Sequence, residues 1–198
     1  MSASKILKII KNNGGTIHMS EALDAGINRY TLYSMLEKGV IERLSRGVYR
    51  ASNTPAMIEP DLAIVASRIP KAVICLISAL SYHDLTTQIP HRVSIALPTG
   101  IKTPKLDYPP ISAYRFNKES FEAGIETHQI DGVSIPVYNS EKTLVDCFKF
   151  RNKIGMEVVL EALKLYKERQ GININELMKY AKICRVSKVI SPYLEASL

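Results

Sequence analysis

The stretch Asn28-Arg29-Tyr30-Thr31-Leu32-Tyr33-Ser34-Met35-Leu36-Glu37-Lys38-Gly39 reads as a short capped helix, and the residues after it, Val40 to Arg50, read as a hairpin. Asn28 has the short polar side chain that caps a first turn, Ile27 and Leu32 stand at N′ and N4 for a hydrophobic staple, and Gly39 marks the stop. Leu32, Met35 and Leu36 fall at i, i+3 and i+4 and commit one face to a core. The opposite face carries Tyr30, Ser34 and Glu37, flanked by Arg29 and Tyr33 on one side and Thr31 and Lys38 on the other. Val40 to Leu44 and Val48 to Arg50 alternate about Ser45-Arg46-Gly47, a turn with a basic tip.

Upstream, Ser4 is expected to cap a helix whose apolar side is Ile6, Leu7, Ile9 and Ile10. Lys5, Lys8 and Lys11 form its basic edge, and Asn12-Asn13-Gly14-Gly15 ends it. Thr16 to Met19 alternate as a strand, and Ser20 is expected to cap Glu21 to Ala25 before Gly26 stops the turn. Helix, tight turn, helix and hairpin together predict a winged helix-turn-helix over residues 1–54. Its expected contacts with double-stranded DNA are Arg29, Tyr30, Thr31, Tyr33, Ser34 and Lys38 on the helix and Arg43, Arg46 and Arg50 in the wing. Lys5 and Lys8 would add phosphate contacts. Glu37 runs against phosphate unless it accepts a cytosine amino proton or pairs with an arginine, and its role stays open.

Downstream, Ala51 to Pro60 shifts to a polar, proline-bearing composition and reads as a linker, with a second domain over residues 60–198. Pro60-Asp61 opens a helix through Ile69, and the apolar run Val73 to His83 reads mostly as a buried helix. Arg92 to Leu97 and Ile111 to Phe116 alternate as strands. Ile125 to Ile130 and Val133 to Tyr138 frame Asp131-Gly132, a type I′ hairpin signal, so an antiparallel sheet is expected. Ser140 is expected to cap a helix from Glu141 to Arg151. Others follow from Met156 to Glu168 and from Asn173, where Glu176 completes a capping-box pattern. Ser187 to Leu194 contains Pro192 and is expected to bend or break. The class is α+β.

The chain has 198 residues, 26 Lys+Arg against 19 Asp+Glu, and 46% hydrophobic residues, enough for a real core. Residues 1–58 carry a balance of +4, residues 59–135 of −1 and residues 136–198 of +4. Basic ends around a near-neutral middle point to a polyanion. In the C-terminal third Lys142, Lys149, Arg151, Lys153, Lys179, Lys182 and Arg185 are candidates for further phosphate contacts. No apolar run approaches the roughly 20 residues of a membrane helix. No signal peptide is read at Met1 to Ile10, so no membrane partner and a cytoplasmic location are expected. Cys75, Cys147 and Cys184 have no Cys-x-x-Cys spacing, and His18, His83, His91 and His128 are scattered. No metal, no cofactor and no catalytic set are expected, and no small-molecule effector pocket is evident.

Enzyme signatures are missing as well. The sequence contains no Asp-x-Lys or Glu-x-Lys nuclease triplet, no phosphate-binding P-loop and no Gly-x-Ser-x-Gly elbow. Ser81-Tyr82-His83-Asp84 has the residue types of a nucleophilic site, but consecutive helical residues point apart, and a packed or capping His83 is the plainer reading.

Three strings carry a family resemblance: Arg46-Gly47-Val48-Tyr49 in the wing, Ser78-Ala79-Leu80-Ser81-Tyr82-His83-Asp84-Leu85-Thr86-Thr87-Gln88-Ile89-Pro90, and Lys142-Thr143-Leu144-Val145-Asp146-Cys147-Phe148-Lys149. Together they resemble the AbiEi family of antitoxins over nearly the whole chain. The resemblance implies an N-terminal winged helix joined to a C-terminal antitoxin domain and repression of the protein's own operon; the capped helix and basic wing add the expectation that a cooperative or dimeric species binds inverted repeats in that promoter. The resemblance also implies a role in abortive infection as phage defence against an AbiEii-like nucleotidyltransferase toxin, without a stable complex between the two. No toxin-contacting residue carries over. Two rival readings remain: a DNA-acting enzyme with Asp84, His83 and Asp146 as its acids and bases, and a protein-interaction adaptor that uses the winged helix.

Overall fold

The computed structural model describes residues 3–12, 16–52, 59–106, 108–130, 133–170 and 172–196. Their contacts divide the chain into two compact units, Met1–Pro70 with His128–Ile135, and Lys71–Thr127 with Pro136–Leu198. The expected linker falls largely at residues 53–58, outside the described residues, as does the Asp131-Gly132 turn. The helix expected to open the second domain groups with the first unit instead.

In the first unit α1 (Ala3–Asn12), β1 (Thr16–His18), α2 (Met19–Asp24), α3 (Arg29–Glu37), β2 (Ile41–Ser45) and β3 (Val48–Ala51) follow one another, and α4 (Pro60–Arg68) comes next. β3 is the middle strand of an antiparallel sheet of order β1-β3-β2. Ile6 and Ile10, one helical turn apart, pack with Ile17, Ile27, Leu32, Met35, Ile41 and Tyr49 in one core. Burying each such aliphatic side chain contributes about 1.5–3 kcal/mol, which is what holds so small a unit together. The cap of α2 differs from expectation. Its N-cap is His18, and the Glu21 carboxylate accepts from the His18 N–H at 2.8 Å, because β1 already ends there and Ser20 lies inside the first turn.

The later elements are β4 (Val73–Ile74), α5 (Leu76–Tyr82), β5 (Val93–Pro98), β6 (Ile111–Phe116), α6 (Lys118–Glu122), β7 (Ile125–Ile130), β8 (Val133–Tyr138), α7 (Ser140–Lys149), α8 (Arg151–Ile154), α9 (Met156–Gln170), α10 (Ile174–Ile183) and α11 (Ser187–Glu195). The α+β class holds, and the five-stranded sheet, of order β6-β5-β4-β8-β7, is mixed. β6 runs parallel to β5 and β8 parallel to β4, while β4 and β5 are antiparallel. Val73–Ile74 is the central strand of this sheet, not the start of a helix. A short apolar run buried on both faces shows no period, and β-branched residues favour the strand.

α7 is the centre of the second unit, with residues 142–148 all buried. Its Leu144, Val145 and Phe148 pack with Leu80, Tyr138 and Val159 in the larger core. Its N-cap is Asn139, whose side chain accepts from Lys142 N at 2.8 Å, not the expected Ser140. Asn173 caps α10 as expected, accepting from Glu176 N at 3.2 Å. α11 runs unbroken through Pro192, where a bend or a break was expected.

Candidate nucleic-acid interface

α3 is set into the first unit by its own sequence. The Asn28 side-chain oxygen accepts from Thr31 N at 2.8 Å and from Thr31 Oγ1 at 2.7 Å, which closes the first turn. Thr31 therefore spends its hydroxyl on the cap. Leu32 and Met35 are buried, while Tyr30 is 82% and Tyr33 48% exposed, so the helix turns an aromatic, hydrogen-bonding face outward. Arg29, Glu37 and Lys38 are exposed and Ser34 is half-buried on that same outer side. Gly39 follows at φ +65, a left-handed position that admits glycine without strain, and the chain turns directly into the wing.

The wing brings together less than its sequence offered. Arg46 is exposed at the tip beside Gly47, whose φ of +80 makes the turn, and the Arg68 guanidinium donates to the Arg46 carbonyl. Arg43 is exposed. Arg50 is different: its side chain is only 12% exposed and its Nε donates to the Glu42 carboxylate across the hairpin, where Glu42 and Arg50 are register partners. Tyr33 also has a partner, because its side chain shares a hydrogen bond with the buried Tyr49, whose phenol is held above its usual range by burial and then by Tyr33. Tyr33 thus couples the helix to the wing. On α1, Lys5 and Lys8 are exposed.

The basic candidates of the second unit fare unevenly. Lys142 is the clear correction: it is 0% exposed and its Nζ donates to Asp146, so it reaches no phosphate. The i, i+4 spacing on a helix buried all round places both charges inside together. Lys149 Nζ sits 5.5 Å from the Phe116 ring centroid, and Lys153 Nζ 5.7 Å from that of Phe150. Lys179 pairs with Glu176 at 3.0 Å, and Arg151 donates to the Phe148 carbonyl at 2.9 Å. Lys182 and Arg185 are exposed.

The three rival catalytic residues have separate structural partners. His83 Nε2 donates to the Tyr138 carbonyl at 2.7 Å, the packed reading of this histidine. Asp84 is exposed with Arg169 at 3.5 Å. Asp146 is buried, its carboxyl raised by desolvation against the pull of Lys142. The thiols of Cys75, Cys147 and Cys184 are buried, and burial pushes that of Cys184 up to about 11. Among the described residues no helix is long and apolar enough to cross a membrane.

The chain is similar to a solved structure described as the RV2827C protein from Mycobacterium tuberculosis. The two share 13% identity at a TM-score of 0.60, over 91% of this chain and 71% of that one, which is a likeness of fold. No curated protein matches. Residues 4–52, from α1 through the wing, match the family described as transcriptional regulator, AbiEi antitoxin.

Proposed function

We propose that this chain is a cytoplasmic DNA-binding antitoxin that represses its own promoter at inverted repeats and opposes a nucleotidyltransferase-like toxin without a stable complex. The observation that carries the reading is the outer face of α3, where exposed Arg29, Tyr30 and Lys38 stand over a buried Leu32–Met35 face, with the exposed Arg46 on the wing tip. A helix capped at its N-terminus and polar on one side suits the major groove, and an arginine-tipped hairpin suits the flanking phosphates. Arg29, Tyr30 and Ser34 would read bases, while Arg43, Arg46, Lys38, Lys5 and Lys8 would meet the backbone. Two copies on one inverted repeat would place their helices about 34–36 Å apart, one turn of DNA.

The test is a fluorescence-anisotropy titration of the purified chain against its own upstream DNA and a scrambled control at two salt concentrations. The expected result is a preference of about a thousandfold, with affinity falling steeply as salt rises. Equal, weak binding to both duplexes would remove specific repression from the reading.

A further inference from the structure

The loop of residues 86–92 is tied down at one end and exposed at the other. The Glu161 carboxylate on α9 accepts from Thr86 Oγ1 at 3.0 Å, from Thr87 Oγ1 at 2.6 Å and from Thr87 N at 3.2 Å. Gln88 N then donates to Thr86 Oγ1 at 3.1 Å, and the next residue, Ile89, is 83% exposed. A loop fixed in this way does not fold its isoleucine back onto the core. Instead Ile89 lines a groove of about 220 Å³ in the second unit, together with Ile77, Tyr114, His91 and Arg92.

Arg92 is pre-placed in that groove. Its Nε donates to Ser112 Oγ at 3.0 Å and its Nη2 to the Ile111 carbonyl at 2.6 Å, so the guanidinium is held on β6 with Nη1 unspent among the described residues. Among the described residues no carboxylate lines the groove, His91 is exposed in it, and Lys153 Nζ lies 6.0 Å from the Tyr114 ring centroid. A guanidinium locked by two hydrogen bonds gives up little freedom when an anion arrives, and its planar fork fits phosphate oxygens. The volume falls below the roughly 300–1,000 Å³ that encloses a whole drug-sized ligand, so the open groove takes the apolar ring system and the anionic end of a ligand and leaves the part that joins them to solvent.

We infer that this groove binds a nucleoside monophosphate, with the phosphate on Arg92 and His91 and the ring against Ile77, Ile89 and Tyr114. Phosphate by itself would leave the apolar wall uncovered, and an uncharged ring would leave the guanidinium without its counter-ion. The site lies in the second unit and goes beyond the DNA reading, which stands or falls on α3 and the wing.

The test is an amide-shift NMR titration of the full chain with AMP, GMP, CMP and UMP separately, and with inorganic phosphate. The expected result is shifts centred on His91, Arg92, Ser112 and Tyr114 with at least one nucleotide, at a dissociation constant of about 1 mM or tighter. Arg92→Lys should weaken binding about tenfold by losing the planar fork. Ile89→Ser, at a solvent-exposed position that leaves the fold intact, should weaken it about threefold. No shifts with any of the four nucleotides, or shifts unchanged by Ile89→Ser and Arg92→Lys, would overturn the proposal. Inorganic phosphate binding as well as the best nucleotide would overturn the ring's place in it.

Discussion

Asp146 Oδ2 accepts a hydrogen bond from Lys142 Nζ at 2.5 Å, one turn along the same helix, with both side chains wholly out of solvent. Cys184 Sγ lies 3.4 Å from the other carboxylate oxygen, and the Tyr138 ring centroid lies 4.0 Å from the ammonium. Two desolvated charges with this geometry are held by each other, so removing either one strands its partner. Lys142→Met or Asp146→Asn is expected to cost about 3–5 kcal/mol in urea unfolding. The double replacement Lys142→Met with Asp146→Leu should recover most of that loss. A double variant as unstable as the two losses added would refute the pairing as the source.

Gly124 and Gly39 separate backbone strain from steric conflict. Both have positive φ, +71 and +65, but a Cβ at Gly39 meets nothing within 4 Å, whereas one at Gly124 would lie 2.7 Å from Lys142 Cβ. Gly39→Ala is expected to cost about 1–2 kcal/mol, the left-handed penalty alone. Gly124→Ala should cost clearly more, because the atom it strikes belongs to a side chain fixed by Asp146. Equal falls in Tm would show that Lys142 yields.

Acid should release the loop at residues 86–88. The hydrogen bond from the Thr87 hydroxyl, more than any other contact, holds the Glu161 carboxyl below its ordinary value of 4.5. A folded-state pKa lowered in this way means that the folded chain takes the proton less readily than the unfolded one. The contribution to stability is therefore present above 4.5 and is lost as the pH falls through the lower folded value. Amide exchange at Thr87 and Gln88 is expected to speed up over that range relative to exchange elsewhere in α9. In Glu161→Gln the pH-dependent step should vanish.

On DNA the wing arginines should prove unequal. Arg46→Ala is expected to lower affinity for all sequences and to reduce the salt slope by about 1, as the loss of one phosphate contact does. Arg50→Ala should change the slope less, because its guanidinium already holds Glu42. Tyr30→Ala should relax sequence preference while leaving the slope in place. Anisotropy against native and scrambled duplexes distinguishes the three, and an unchanged slope in Arg46→Ala would take the wing tip out of the interface.

The sequence by itself determined what depends on neighbours in the chain. Asn28 before an apolar i, i+3, i+4 stripe wrote α3 and its buried face, Gly47 between two alternating runs wrote the wing, and Asn173 with Glu176 wrote the start of α10. Each is a matter of caps, glycine freedom or periodicity within a few residues. Tertiary structure decided what depends on distant partners. Val73–Ile74 became a strand because β5 and β8 lie on either side of it. Lys142 left the basic surface because α7 is enclosed on all sides. Arg50 and Tyr33 gained Glu42 and Tyr49 only once the hairpin and helix had met. The groove beside Ile89 gives no sign in the sequence, since the loop, the Arg92 anchor on β6 and the Glu161 tether on α9 are far apart along the chain. Charge and hydropathy can be read residue by residue, but burial and pairing are properties of packing. For that reason the winged helix was legible in the sequence, whereas the groove and the buried ion pair appeared only in the folded chain.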